Sequence, residues 1–155
     1  MTGNPLTQPL RVTMNDPQFD WARPRLMRRR LVLTFAGLLV ATPLLTWALD
    51  SVFVLLGMLV PFVLVMGSLN ASVRGMTELR SSDLDEREIA FRGGVYARLY
   101  WPGVFLGVAA GMGFMNPGAF GAYLLTAAVA LSVFNLAMAL PTLWLAWSLP
   151  DEPEA

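Results

Sequence analysis

The sequence predicts an all-α fold: an integral membrane four-helix bundle of two transmembrane hairpins joined by an amphipathic connector helix. Three observations lead there. Of the 155 residues, 55% are hydrophobic and only 14% charged, where a soluble domain carries about a quarter. Charge is nearly absent from two long blocks, 31–70 and 101–149. All eleven basic residues are arginines, and none lies inside either block.

Composition also excludes functions. With no cysteine there is no disulfide framework, thiolate metal site or cysteine nucleophile. With no histidine, the commonest metal ligand and general base are missing. The formal net charge of zero gives no case for nucleic-acid binding. Neither a metal nor a cofactor is expected.

Residues 1–30 read as a tail and basic flank. The first twenty lack a sustained apolar period and carry several Pro, Asn and Asp, the composition of a disordered segment. Trp21–Arg30 then sets five arginines directly before an apolar run. Such a cluster holds the N-terminus on the cytoplasmic side. It can also meet anionic lipid headgroups, which makes Arg28, Arg29 and Arg30 candidate partner or lipid contacts. Arg28-Arg29 does not read as a cleaved twin-arginine leader, because the apolar run after it leads straight into a second one.

Residues 31–70 are the first hairpin. Leu31–Leu49 is nineteen residues without a charge, enough to cross the hydrocarbon core. Asp50-Ser51 interrupts it and Val52–Leu69 follows, so the pair must turn tightly. Pro43 and Pro61 are tolerated in such spans and expected to kink them.

Residues 71–100 are the connector, whose charged part is Ser81–Tyr100. Asp83 and Glu86 have the spacing of a capping box. Asp83, Asp85 and Glu86 would face the positive end of the helix dipole. Asp83–Arg87 and Glu88–Arg92 are i,i+4 pairs with the acid leading, each worth about 0.2–0.5 kcal/mol. Leu84, Phe91, Val95 and Leu99 give one apolar stripe. The result is a short helix on the membrane surface, loosened at Gly93-Gly94, with Asp85, Glu86, Arg87, Glu88, Arg92 and Arg98 as candidate partner or lipid contacts.

Residues 101–149 are the second hairpin. Tyr96, Tyr100 and Trp101 suit the headgroup layer, and Pro102 suits an early helical position. Gly103–Met115 is the third span, Asn116-Pro117-Gly118 a turn. A fourth span over about 120–142 continues past Pro141 into an interfacial end with Trp144 and Trp147. Residues 150–155 form an acidic tail.

Orientation follows from the arginines. Six precede the first span, five lie between the second and third, and none lies in the turns at Asp50 and Asn116. The positive-inside rule puts both termini and the connector in the cytoplasm of a bacterial inner membrane. The two hairpins run in the same sense, so an inverted-repeat transporter is not supported.

Few constellations carry chemistry. Gly103, Gly107 and Gly111 form a doubled GxxxG, the spacing that lets two helix backbones approach in lipid. It marks a contact face, either to a neighbouring helix of the same chain or to another subunit, and Gly107→Leu is expected to be the most disruptive single change. Asn135, well inside the fourth span, is expected to bond across helices. No Asp, Glu, Lys or Arg lies in a span interior, which disfavours proton-coupled carriers and charge-selective pores. Four spans resemble small multidrug exporters, but the embedded glutamate of that family has no counterpart. Met112 and Met115 could ligate copper(I) but read as packing residues. The connector acids read as a salt-bridged face rather than an acid/base pair or a metal site.

Leu84-Asp85-Glu86-Arg87-Glu88, followed by Ile89, Arg92, Tyr96 and Arg98, resembles the LDERE-type segment of uncharacterised bacterial multi-span membrane proteins. In those proteins the segment sits on the cytoplasmic side before a transmembrane pair; Gly93-Gly94 departs from their continuous helical pattern. The resemblance implies a fold and a location, and no activity.

The expected function is non-enzymatic: an accessory, assembly or scaffold subunit of a membrane complex. Its partners would be membrane lipids and another integral membrane protein, or itself as a homo-oligomer. The alternatives are a small homo-oligomeric transporter or channel and, third, a lipid-headgroup enzyme.

Overall fold

A computed structural model describes residues 17–73, 84, 86–116 and 118–150. Every regular element among them is helical: a 3-10 turn at Pro17–Ala22, then α1 (Arg25–Leu49), α2 (Val52–Ser72), α3 (Glu86–Met115) and α4 (Tyr123–Ser148). The all-α expectation holds.

Two residues make the first turn. Asp50 ends α1 in the left-handed conformation, φ 42°, and its N–H donates to the Thr46 carbonyl. Aspartate is among the few residues with a side chain that visit this region readily. Ser51 then caps α2, its Oγ accepting from the Phe53 N–H at 3.3 Å. The second turn is built differently. Gly121 supplies a φ of 75° that suits a residue without Cβ. Buried Thr126 reaches back from α4, accepting from the Phe120 N–H and donating to the Ala122 carbonyl.

The hub of the bundle is α4, which packs against α1, α2 and α3. Its buried side chains are nearly all small: Thr126, Ala128, Ala130, Ser132, Ala139, Thr142 and Ala146, with Leu145. Small residues let helices come close where no water is available to drive them together. One face of α4 meets α1 and α2. There Phe35 and Phe62 touch edge to face, ring centres 5.4 Å apart, and the Thr142 hydroxyl donates to Asn70 Oδ1 at 3.3 Å. The other face meets α3, which lies antiparallel: Gly113 adjoins Ala130, while Tyr96–Val104 lies against Ala137–Pro141.

Among the described residues, three helices are long and apolar enough to cross a membrane: α1, α2 and α4. Their outward faces carry Leu33, Val40, Trp47, Phe53, Val60, Val63, Leu64 and Phe134, all exposed. Contiguous apolar surface on this scale belongs against lipid. The expectation of four such spans is met by three. Gly103–Met115, thirteen residues, is only about 20 Å of helix against a core of about 30 Å.

The connector and the expected third span are instead one helix of thirty residues. Gly93-Gly94 does not break it, and Pro102 lies in its interior rather than at its start. A glycine costs a helix roughly 1 kcal/mol. The stripe that α3 lays on its neighbour offsets that cost: Val95, Leu99, Gly103, Leu106, Ala110 and Gly113 are buried or half-buried at spacings of three and four. Phe91, expected on the stripe, is exposed, while Leu84 is partly buried against the core. The prolines at 43, 61 and 141 are likewise accommodated inside their helices.

Counted from the Gly113–Ala130 contact, Val95 is level with Ser148. Glu86–Gly94 therefore projects past the end of α4 by about 13 Å. Arg28 of α1 also meets this end of α4, at Ala146. The charged residues of both segments thus gather at one end of the bundle.

Candidate functional site

Three consecutive arginines at this end occupy three different environments. Arg28 is 4% exposed, a burial that arginine reaches only when its donors are occupied. Its Nε donates to the Ala146 carbonyl at 3.2 Å, and its Nη2 to the carbonyls of Leu149 and Pro150. Its Nη1 donates to the carbonyl of Arg23. The last carbonyls of a helix have no partner within it and carry the negative end of its dipole. One cation supplies both needs for α4.

Arg29 lies half-buried over the ring of Trp147, the guanidinium carbon 4.9 Å from the ring centre. Arg30 is exposed, its Nη1 3.9 Å from Met27 Sδ. Of the expected lipid or partner contacts in this cluster, Arg28 is a structural cap and Arg29 and Arg30 remain at the surface. A clue to Arg28 was present in the sequence. It precedes Phe35 by seven residues and Thr42 by fourteen, which puts it on the buried stripe of α1.

The 3-10 turn folds under α2 at the same end. Leu69, Ala71, Ser72 and Val73 are buried there, together with Ala22. Arg23 pairs with Asp20 through Nη1.

The connector candidates separate into two faces. Glu86, Arg87 and Arg98 are exposed. Glu88 and Arg92 are half-buried on the stripe that continues toward α4, and neither is without a partner. Asp83 and Asp85, with the capping box, lie outside the described residues. Tyr100, Trp101 and Phe105 form an exposed aromatic run, ring centres 5.4 and 6.2 Å apart.

The glycine stripe is not a close contact inside the chain: Gly103 is half-buried on the line that faces α4, and Gly107 is exposed. A Cβ added at Gly103, Gly107 or Gly111 would meet nothing within 4 Å. Gly113 is the glycine at the close approach, where an added Cβ would stand 2.9 Å from that of Ala130. The expectation that Gly107→Leu would disturb the bundle most is therefore corrected in favour of Gly113. The reason is angular. A four-residue repeat advances about 40° per step around an α-helix, so Gly107 and Gly111 drift off the line that faces α4. Alternating steps of three and four stay on it and reach Gly113.

Asn135 also differs from expectation. Its Nδ2 donates to the Leu131 carbonyl of its own helix at 2.9 Å, and the amide that bonds across helices is Asn70. Asn135 lines an open cleft of about 330 Å³ whose other walls include Phe35, Phe62 and Met66. Met112 and Met115 are 61% and 83% exposed, and so are not packing residues of this chain. Among the described residues no group of three or more acids could hold a metal.

None of the protein-family models, curated proteins and solved structures compared with the chain matches it.

Proposed function

We propose that this chain is a non-enzymatic membrane subunit, an accessory or assembly element that docks through the glycine face of α3. The observation that carries this reading is the empty space beside Gly107 and Gly111, which lie off the line that faces α4. A backbone laid bare at four-residue intervals in lipid invites a second helix. The chain's own helices leave that place vacant. The occupant is a transmembrane helix of another protein or of a second copy.

In this reading α3 crosses the membrane beside α4. Val95–Met115, level with α4, is twenty-one residues and about 30 Å long. Arg98 extends its head toward the headgroups as long cations near a boundary do. With four crossings, both termini and the projecting Glu86–Gly94 face the bacterial cytoplasm, where the arginine bias belongs. The shared end of Arg28 and Ala146 supports placing both termini together. The projecting turns, with Glu86 and Arg87 exposed, offer the partner a charged handle.

The test is a mild-detergent pull-down of the tagged chain. Capture of a stoichiometric partner, or of a second copy, must disappear in Gly107→Leu while the variant's own thermal unfolding stays unchanged. Capture indifferent to Gly107→Leu and to Gly111→Leu sinks the glycine face as the docking surface.

A further inference from the structure

The environment of Arg29 is incomplete. Its neighbours in sequence are not equivalent to it: the donors of Arg28 are taken by main-chain carbonyls, and Arg30 is exposed. The Arg29 guanidinium is held over Trp147, and its buried Nε has no acceptor. Among the described residues it meets no carboxylate; Asp20 is paired with Arg23 instead. A cation fixed against a ring, with no carboxylate to neutralise it, is a half-built anion site.

We propose that Arg29 and Trp147 seat the phosphate of an anionic phospholipid. The ring holds the guanidinium plane in place, and a planar fork of N–H donors matches phosphate oxygens two at a time. Depth favours a lipid over a soluble anion. Arg29 lies one turn inside α1 and Trp147 in the last turn of α4, where both helices leave their apolar stretches. Trp147 is 43% exposed, so the ring keeps a free edge toward the bilayer, with Trp144 exposed nearby in sequence. The exposed apolar flanks of the two helices would receive the acyl chains. The inference needs membrane insertion but not the glycine face, so its failure would leave subunit docking untouched.

The experiment uses the full chain in detergent, with native mass spectrometry reading bound dioleoyl phosphatidylglycerol against dioleoyl phosphatidylcholine. The wild type should retain the anionic lipid selectively. Arg29→Ala and Trp147→Leu should each lose about tenfold in retention, the scale of a desolvated cation–π contact with its hydrogen bonds. Trp147→Phe should lose less, since it keeps a ring. Arg30→Ala, which removes the same charge one residue away, should stay within about twofold. Equal losses in Arg29→Ala and Arg30→Ala overturn the site in favour of diffuse charge. So does equal retention of the two lipids, or displacement by millimolar inorganic phosphate or glycerol phosphate. Thermal unfolding of each variant in lipid-free detergent separates lost binding from lost fold.

Discussion

Arg28 closes the last helix through Ala146: its Nε donates to the Ala146 carbonyl at 3.2 Å across 118 residues of sequence. Leu149 and Pro150 carbonyls complete the cap. Arg28→Met keeps much of the stem and removes the cation. Hydrogen bonds to a charged group contribute about 1.5–3 kcal/mol each. The several made here share one cation, so a loss of about 2–4 kcal/mol is expected. Denaturation in mixed micelles should show it, with Arg28→Lys intermediate because an ammonium lacks the planar fork.

Gly113 and Gly107 should behave in opposite ways. Gly113→Leu must push α3 off Ala130, where even a Cβ would stand 2.9 Å away. Overpacking of this kind costs about 1–3 kcal/mol. Gly107→Leu meets open space and should leave the unfolding of the isolated chain within about 0.5 kcal/mol. Melting curves of the two variants in detergent check the order, and a lower melting point for Gly107→Leu reverses it.

Ser132 is buried, and its Oγ has no hydrogen-bond partner. Leaving such a group unmet costs about 1–3 kcal/mol. Ser132→Ala should therefore keep or raise stability, by up to about 1 kcal/mol. A clear loss in thermal unfolding would mean that the hydroxyl finds a partner.

Asn70 and Thr142 should be energetically coupled and Asn135 should not. A double-mutant cycle of Asn70→Ala with Thr142→Val should return about 0.6 kcal/mol, the mean for such bonds in membranes. The same cycle pairing Asn135→Ala with Thr142→Val should return a value near zero.

The absence of native cysteine makes topology directly measurable. Single cysteines at Arg30 and Glu86 should be labelled from one side of the membrane, and those at Asp50 and Gly118 from the other. Labelling of position 118 together with position 86 would show that α3 does not cross.

Much of the architecture was legible in the sequence because hydropathy and length decide it. The first hairpin could be placed from two uncharged runs around Asp50-Ser51, and the helices begin and end within a few residues of those runs, α1 starting earlier at Arg25. The continuous α3 was not legible, since Gly93-Gly94 and Pro102 are local signals and the packing that overrides them is tertiary. Gly113 was hidden for a related reason. A repeat of four stands out to the eye, whereas the contact line follows 3.6 residues per turn. Arg28 was grouped with its neighbours by charge. Its burial depends on the end of α4, which nothing near residue 28 announces.

The reach from Arg28 to Ala146 also sets an order of events during biosynthesis. Arg28 emerges from the ribosome long before Ala146, Leu149 and Pro150 exist, and until then its charge must stay in water or among headgroups. Contacts so distant in sequence form late. The latch can engage only once residues 146–150 have been made, so a chain interrupted before residue 146 would hold its first helix through α2 alone.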